Sequence, residues 1–70
     1  MEMKWEDGFA IKVSVEHDNT VVISANKEGL LSLARQLETL ANEEIGCHSH
    51  YDVYNSLEEG STELIVEKIG

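Results

Sequence analysis

One amphipathic stretch limits what this chain can fold into: Asn26 to Gly46, NKEGLLSLARQLETLANEEIG. Leu30, Leu33, Ala34, Leu37, Leu40 and Ala41 recur at three- and four-residue spacing, which at 3.6 residues per turn predicts an apolar stripe along one helix. Glu28, Ser32, Arg35, Gln36, Thr39 and Asn42 fall on the far side. Asn26 is placed to accept a hydrogen bond from an orphan first-turn N–H, and Glu28 sits where the helix dipole favours an anion. Gly46 suits the left-handed residue that closes a helix. Two features oppose the helix. Gly29 in its first turns costs about 1 kcal/mol relative to alanine, and Glu43 and Glu44 lie at the wrong end of the dipole, so the last turn is expected to fray. A single stripe cannot bury itself, so the flanking segments must provide a sheet for it to cover.

Those flanks read as strands. Phe9, Ile11, Val13 and Val15 alternate with Ala10, Lys12, Ser14 and Glu16, the period-two pattern of a half-buried strand. His17-Asp18-Asn19-Thr20 supplies turn residues, and Val21 to Ala25 is rich in β-branched side chains, so the two strands should form an antiparallel hairpin. Upstream, Asp7-Gly8 suits a tight turn, which predicts a short edge strand over Met3 to Glu6 and places Trp5 as a lid at the edge of the core. After the helix, Gly46 to Asp52 alternates again, with His48, His50 and Asp52 on one face and Cys47, Ser49 and Tyr51 on the other. Val53 to Gly60 reads as a loop with Leu57 tucked onto the core, and Ser61 to Ile69 as a last strand whose Leu64 and Val66 face inward. The expected fold is a single α+β domain over residues 1–70, β-β-α-β-β, a four-stranded mainly antiparallel sheet with one helix packed on one face. The strand order expected is second, first, third, fourth, with the last strand beside the first as the other arrangement.

Size and charge narrow the function. A chain of 70 residues buries only about 60% of its unfolded surface, which leaves little volume for a ligand pocket. The lone Cys47 excludes a disulfide scaffold, and the chain has no apolar run of the length of a signal peptide or membrane span, so a cytoplasmic protein is expected. Fourteen acids against five bases give a net charge of −9, the same sign as nucleic acid and anionic lipid, which argues against either as a partner. The acids are uneven. Residues 1–35 carry six acids and four bases (net −2), and residues 36–70 carry eight acids and one base, Lys68 (net −7). A small domain needs charge for solubility alone; the sharper account of the asymmetry is a basic protein partner met by the C-terminal half.

The face of the sheet away from the helix is expected to show Lys12, Ser14, Glu16, Val22, Ser24, His48, His50, Asp52, Glu63, Ile65 and Glu67, two apolar positions among acids and imidazoles. That composition suits a polar-rimmed contact surface better than a catalytic cleft. The strand Gly-x-His-x-His-x-Asp at 46–52, the acidic-Gly-Ser-x-Glu-Leu-Ile strand that follows, and the leucine-rich helix opened by Asn-x-Glu-Gly together resemble the immunity protein 32 family of bacterial polymorphic toxin systems. The resemblance spans roughly residues 9–69. It implies a small α+β cytosolic protein encoded beside a toxin that it neutralises by binding, and the positions that carry over are Gly46, His48, His50, Asp52, Ser61 and Glu63. Ser49 and Tyr51 stand where the family pattern would have plainer aliphatic residues.

The expected partner is therefore a cognate toxin, basic if it is a nuclease that grips phosphate. Asp52, Glu58, Glu59, Glu63 and Glu67 would meet its cations, and His48, His50, Ile65 and Tyr51 or Tyr54 would make the more buried contacts. No cofactor is expected. Three rival readings stand beside this one. His48, His50 and Asp52 at alternate positions have the spacing of a divalent-metal site. Cys47 and His48 are a cysteine–histidine pair, but neighbours on a strand point to opposite faces and cannot form a nucleophile–base hydrogen bond, so an enzyme is not expected and Cys47 reads as a small buried side chain. Self-association is the third, through the exposed face or an open edge, the second strand included; the charges at Glu63, Glu67 and Lys68 resist it at the last strand, leaving a monomer or weak homodimer.

Overall fold

The computed structural model describes residues 5–70. Its elements run β1 (Ile11–Val15), β2 (Val21–Ala25), α1 (Lys27–Ala41), β3 (His48–Tyr51) and β4 (Leu64–Glu67), the α+β order β-β-α-β-β. The strands form two antiparallel pairs, β1 with β2 and β3 with β4, each a two-stranded sheet. The segment leading into β4 joins the two. Along the edge of β1 away from β2, the Glu58 N–H donates to the Ile11 carbonyl and the Thr62 N–H to the Val13 carbonyl, both at 2.8 Å, and the Val13 N–H donates to Ser61 Oγ at 3.2 Å. Ser61 and Thr62 are thus engaged with β1, and β4 begins at Leu64 and not at Ser61.

The first hairpin closes on Asn19, at φ 68, with the Glu16 N–H donating to the Thr20 carbonyl at 2.8 Å. Asp18 Oδ1 accepts from the Thr20 N–H at 3.0 Å. Hydrogen bonds from Thr20, side chain and then backbone, hold the exposed Asp18 carboxyl below its ordinary range. Met3 and Lys4, half of the expected N-terminal strand, lie outside the described residues, and Trp5 and Glu6 are not in a strand. Trp5 does cap the core edge: its ring stacks on Phe9 with centroids 4.5 Å apart and meets Tyr51 edge-on at 6.1 Å. Beneath it Ile11, Val13, Tyr51 and Leu57 form the buried cluster, with Phe9, Ala25, Leu33, Leu64 and Val66 packed around them.

Asn26 couples the hairpin to the helix. Its Oδ1 accepts from the Gly29 N–H at 2.8 Å, as a helix cap should, and also from the Ala10 N–H at 3.0 Å; its Nδ2 donates to the Gly8 carbonyl at 2.9 Å. Asn26→Ala removes a cap and two tertiary bonds together, so we expect it to lower the unfolding free energy by about 2 kcal/mol, measured as a shift of the urea midpoint at unchanged slope. A loss below about 0.5 kcal/mol would mean that water replaces these bonds without cost.

The helix is rotated from the phase its leucines suggest. Gly29, Ser32, Gln36 and Leu40 are buried and Leu33 half-buried, whereas Leu30, Ala34, Leu37 and Ala41 are exposed. Only Leu33 and Leu40 of the expected stripe face inward. Three tertiary contacts fix this phase: Gly29 lies against the Ala10 carbonyl and Ile11, Ser32 Oγ accepts from the Glu6 N–H at 2.8 Å while donating to the Glu28 carbonyl, and Arg35 pairs with the Glu6 carboxylate. Turning Leu30 and Leu37 inward would break all three.

The helix also ends earlier than Gly46. Asn42 follows its last residue, with the Asn42 N–H donating to the Thr39 carbonyl at 3.1 Å. Lacking a cation in its own last turn, the helix borrows one: Lys68 Nζ donates to the Ala41 and Glu43 carbonyls, both at 2.7 Å. Gly46, at φ 95, instead forms a bulge at the start of β3, where the Gly46 N–H donates to the Lys68 carbonyl and the Lys68 N–H to the Cys47 carbonyl.

Candidate partner-binding face

The β3–β4 register assembles part of the expected site. His48 lies opposite Glu67 and His50 opposite Ile65, and all four are exposed. Strand alternation carries Glu63 and Ile69 to the same face, with Ile69 also exposed. The two imidazoles meet edge-to-face, centroids 4.7 Å apart. The result is an apolar and aromatic strip of His48, His50, Ile65 and Ile69 with carboxylates beside it, the composition of a polar-rimmed contact surface.

Among the described residues no base of β3 or β4 lies on this face, and the alternation explains why. Leu64, Val66 and Lys68 point to the inner side, where Lys68, the only base among residues 36–70, is held by the helix carbonyls. Glu63 and Glu67 therefore have no cation on their own strand face.

Other expected site residues are placed elsewhere. Tyr51 belongs to the core: at 1% exposure it cannot touch a partner, as its position opposite in phase to His48 and His50 requires. Its hydroxyl makes no hydrogen bond of good geometry, and burial pushes its phenol above the ordinary range, with Ser49 offsetting this only in part. Of the two tyrosines only Tyr54 reaches solvent, at 95% exposure. Asp52 is committed to a turn. Its Oδ1 accepts from the Tyr54 N–H at 2.9 Å and the Asn55 N–H at 3.1 Å, and its carbonyl from the Ser56 and Leu57 N–H groups. Asp52 thus presents Tyr54 and carries Leu57 into the core, and its carboxylate does not turn to the imidazoles. Among the described residues no group of three histidine, cysteine, aspartate or glutamate side chains is placed to hold a metal ion. Glu58 and Glu59 are exposed on a separate turn, closed by the Ser61 N–H donating to the Glu58 carbonyl, beside β1. Cys47 is half-buried.

Sequence reasoning missed Ile69, although period-two alternation from Ile65 and Glu67 pointed to it. No described helix is long and apolar enough to cross a membrane. The family model described as Immunity protein 32 matches residues 20–69, from the end of the first turn through β4. No curated protein and no solved structure matches the chain at a significant level.

Proposed function

Because the chain belongs to the immunity protein 32 family, we propose that it binds a cognate toxin in the cytoplasm and neutralises it by occupying a basic surface, without chemistry of its own. The observation that carries this reading is the outer face of β3 and β4, where His48, His50, Ile65 and Ile69 lie beside Glu63 and Glu67 while Lys68, the base next to Glu67 in sequence, is turned inward to the helix. An inhibitor of this kind needs complementarity and a fast encounter, and a negative field supplies both against a partner that grips phosphate through lysine and arginine. Glu58 and Glu59 on the neighbouring turn and Tyr54 at the tip of the turn before it extend the contact surface.

Co-expression with each product encoded immediately upstream tests the proposal. Rescue from growth arrest together with co-purification of the rescued product is the expected result. If no neighbouring product is toxic and none co-purifies, the reading fails.

A further inference from the structure

The opposite side of the molecule carries a second unpartnered surface. Among the described residues β2 pairs only with β1, and its other edge is open. Which backbone groups that edge offers follows from the hairpin: the Glu16 N–H bonds the Thr20 carbonyl and the Asn26 N–H bonds the Ala10 carbonyl, and with Ser14 opposite Val22 and Lys12 opposite Ser24 the bonded pairs alternate. Val22 and Ser24 therefore turn their N–H and C=O groups toward β1. Val21, Ile23 and Ala25 turn theirs outward.

This edge lacks the usual protection. The strand reads Val-Val-Ile-Ser-Ala, without a charge, a proline or a bulge, in contrast to β4 with Glu67 and, just before it, Glu63. Its inner-face side chains are also uncovered, with Val21 55% and Ile23 44% exposed. Beside them runs the apolar flank that the helix rotation leaves out, Leu30 at 55% and Leu37 at 45% exposure. That flank lies on the β2 side. Ser32, on the other side of the buried stripe, is bonded to Glu6, next to Trp5 and Tyr51 of the β3 half.

We propose that the β2 edge pairs with the same edge of a second copy, forming an antiparallel two-fold dimer whose helices lie on one side of a continuous sheet. In the register that sets Ile23 opposite its own copy, Val21 faces Ala25, every outward N–H finds a carbonyl, and no like charges oppose each other within the ladder. Charge selects this edge for self-pairing. The C-terminal half carries net −7 of the total −9 and repels its own copy, whereas β2 is neutral. Because β2 and the β3–β4 hairpin lie on opposite edges of β1, the dimer leaves the acidic face free, and it does not depend on the toxin reading.

Sedimentation velocity on the full chain, from micromolar to near-millimolar concentration, tests the proposal. A reversible dimer is expected, and Ile23→Lys and Leu37→Glu should each weaken it by about tenfold or more, with far-ultraviolet circular dichroism confirming that both variants fold. Ile65→Lys on the acidic face should leave dimerisation unimpaired. A monomer at every concentration overturns the proposal, as does a dimer that survives both substitutions.

Discussion

Gly29→Ala is expected to destabilise the protein by about 2 kcal/mol, although the same substitution in an isolated helix is favourable by about 1 kcal/mol. The two effects separate because Gly29 is packed directly against the first hairpin. A Cβ there would lie 2.5 Å from the Ala10 carbonyl oxygen, 2.9 Å from Ile11 Cγ1 and 3.1 Å from Ala25 Cβ. The first of these is backbone, held in place because the Ala10 carbonyl also accepts from the Asn26 N–H. Relief requires the helix to lift from β1, which loosens the burial of Ile11 and strains the bonds made by Asn26. For a domain of this size, with a net stability of about 3–5 kcal/mol, that is a large fraction of the total, and a fall in melting temperature of about 10 °C is expected. Urea denaturation of the two proteins side by side checks it. A more stable alanine variant would show that the helix has room to move and that Gly29 is a propensity defect only.

Much of the fold was legible because the strands alternate cleanly. Ile11–Val15 and Val21–Ala25 with the turn between them, the helix from Lys27 and its Asn26 cap all follow from local rules. The phase of the helix was not legible. Its buried face includes Ser32 and Gln36, which by polarity belong to solvent, and the reason for Ser32 is a partner twenty-six residues away, the Glu6 N–H. A hydrophobic stripe reports which face could be buried. Which face is buried depends on where the close contacts form, here at Gly29. The same limit explains Lys68, whose sequence neighbours suggest edge protection and whose ammonium instead closes the C-terminus of α1.

The candidate site divides in a similar way. Alternation placed His48 and His50 outward and Tyr51 inward, and the register to β4 added Ile65 and Glu67 to the first group. Asp52 breaks the pattern, since aspartate one residue past a strand end competes for backbone N–H groups of the following turn. Its place in the motif is thus met by a structural need: without it the 53–57 turn loses the acceptor that sets Tyr54 at the surface and Leu57 in the core. Substituting Asp52 would confound loss of binding with loss of that turn, so the charges suited to mapping an interface are those free of backbone duties in their side chains.

Glu58→Lys, Glu63→Lys and Glu67→Lys combined are accordingly expected to abolish protection by the chain while leaving it folded. All three residues are exposed, and none of their carboxylates makes an ion pair or hydrogen bond among the described contacts, so the folded state loses little. Reversal changes the formal charge from −9 by six units and turns attraction into repulsion across the face. Rim charges act chiefly on the association rate, and electrostatic steering is worth ~10- to 1,000-fold, so association with the cognate toxin should slow by about a hundredfold. Stopped-flow association at two ionic strengths distinguishes this from a packing defect: the wild-type rate should fall steeply as salt rises, and that of the reversed variant should rise or stay flat. An unchanged association rate and full protection by the folded triple variant would show that the acidic face is not the toxin-binding surface.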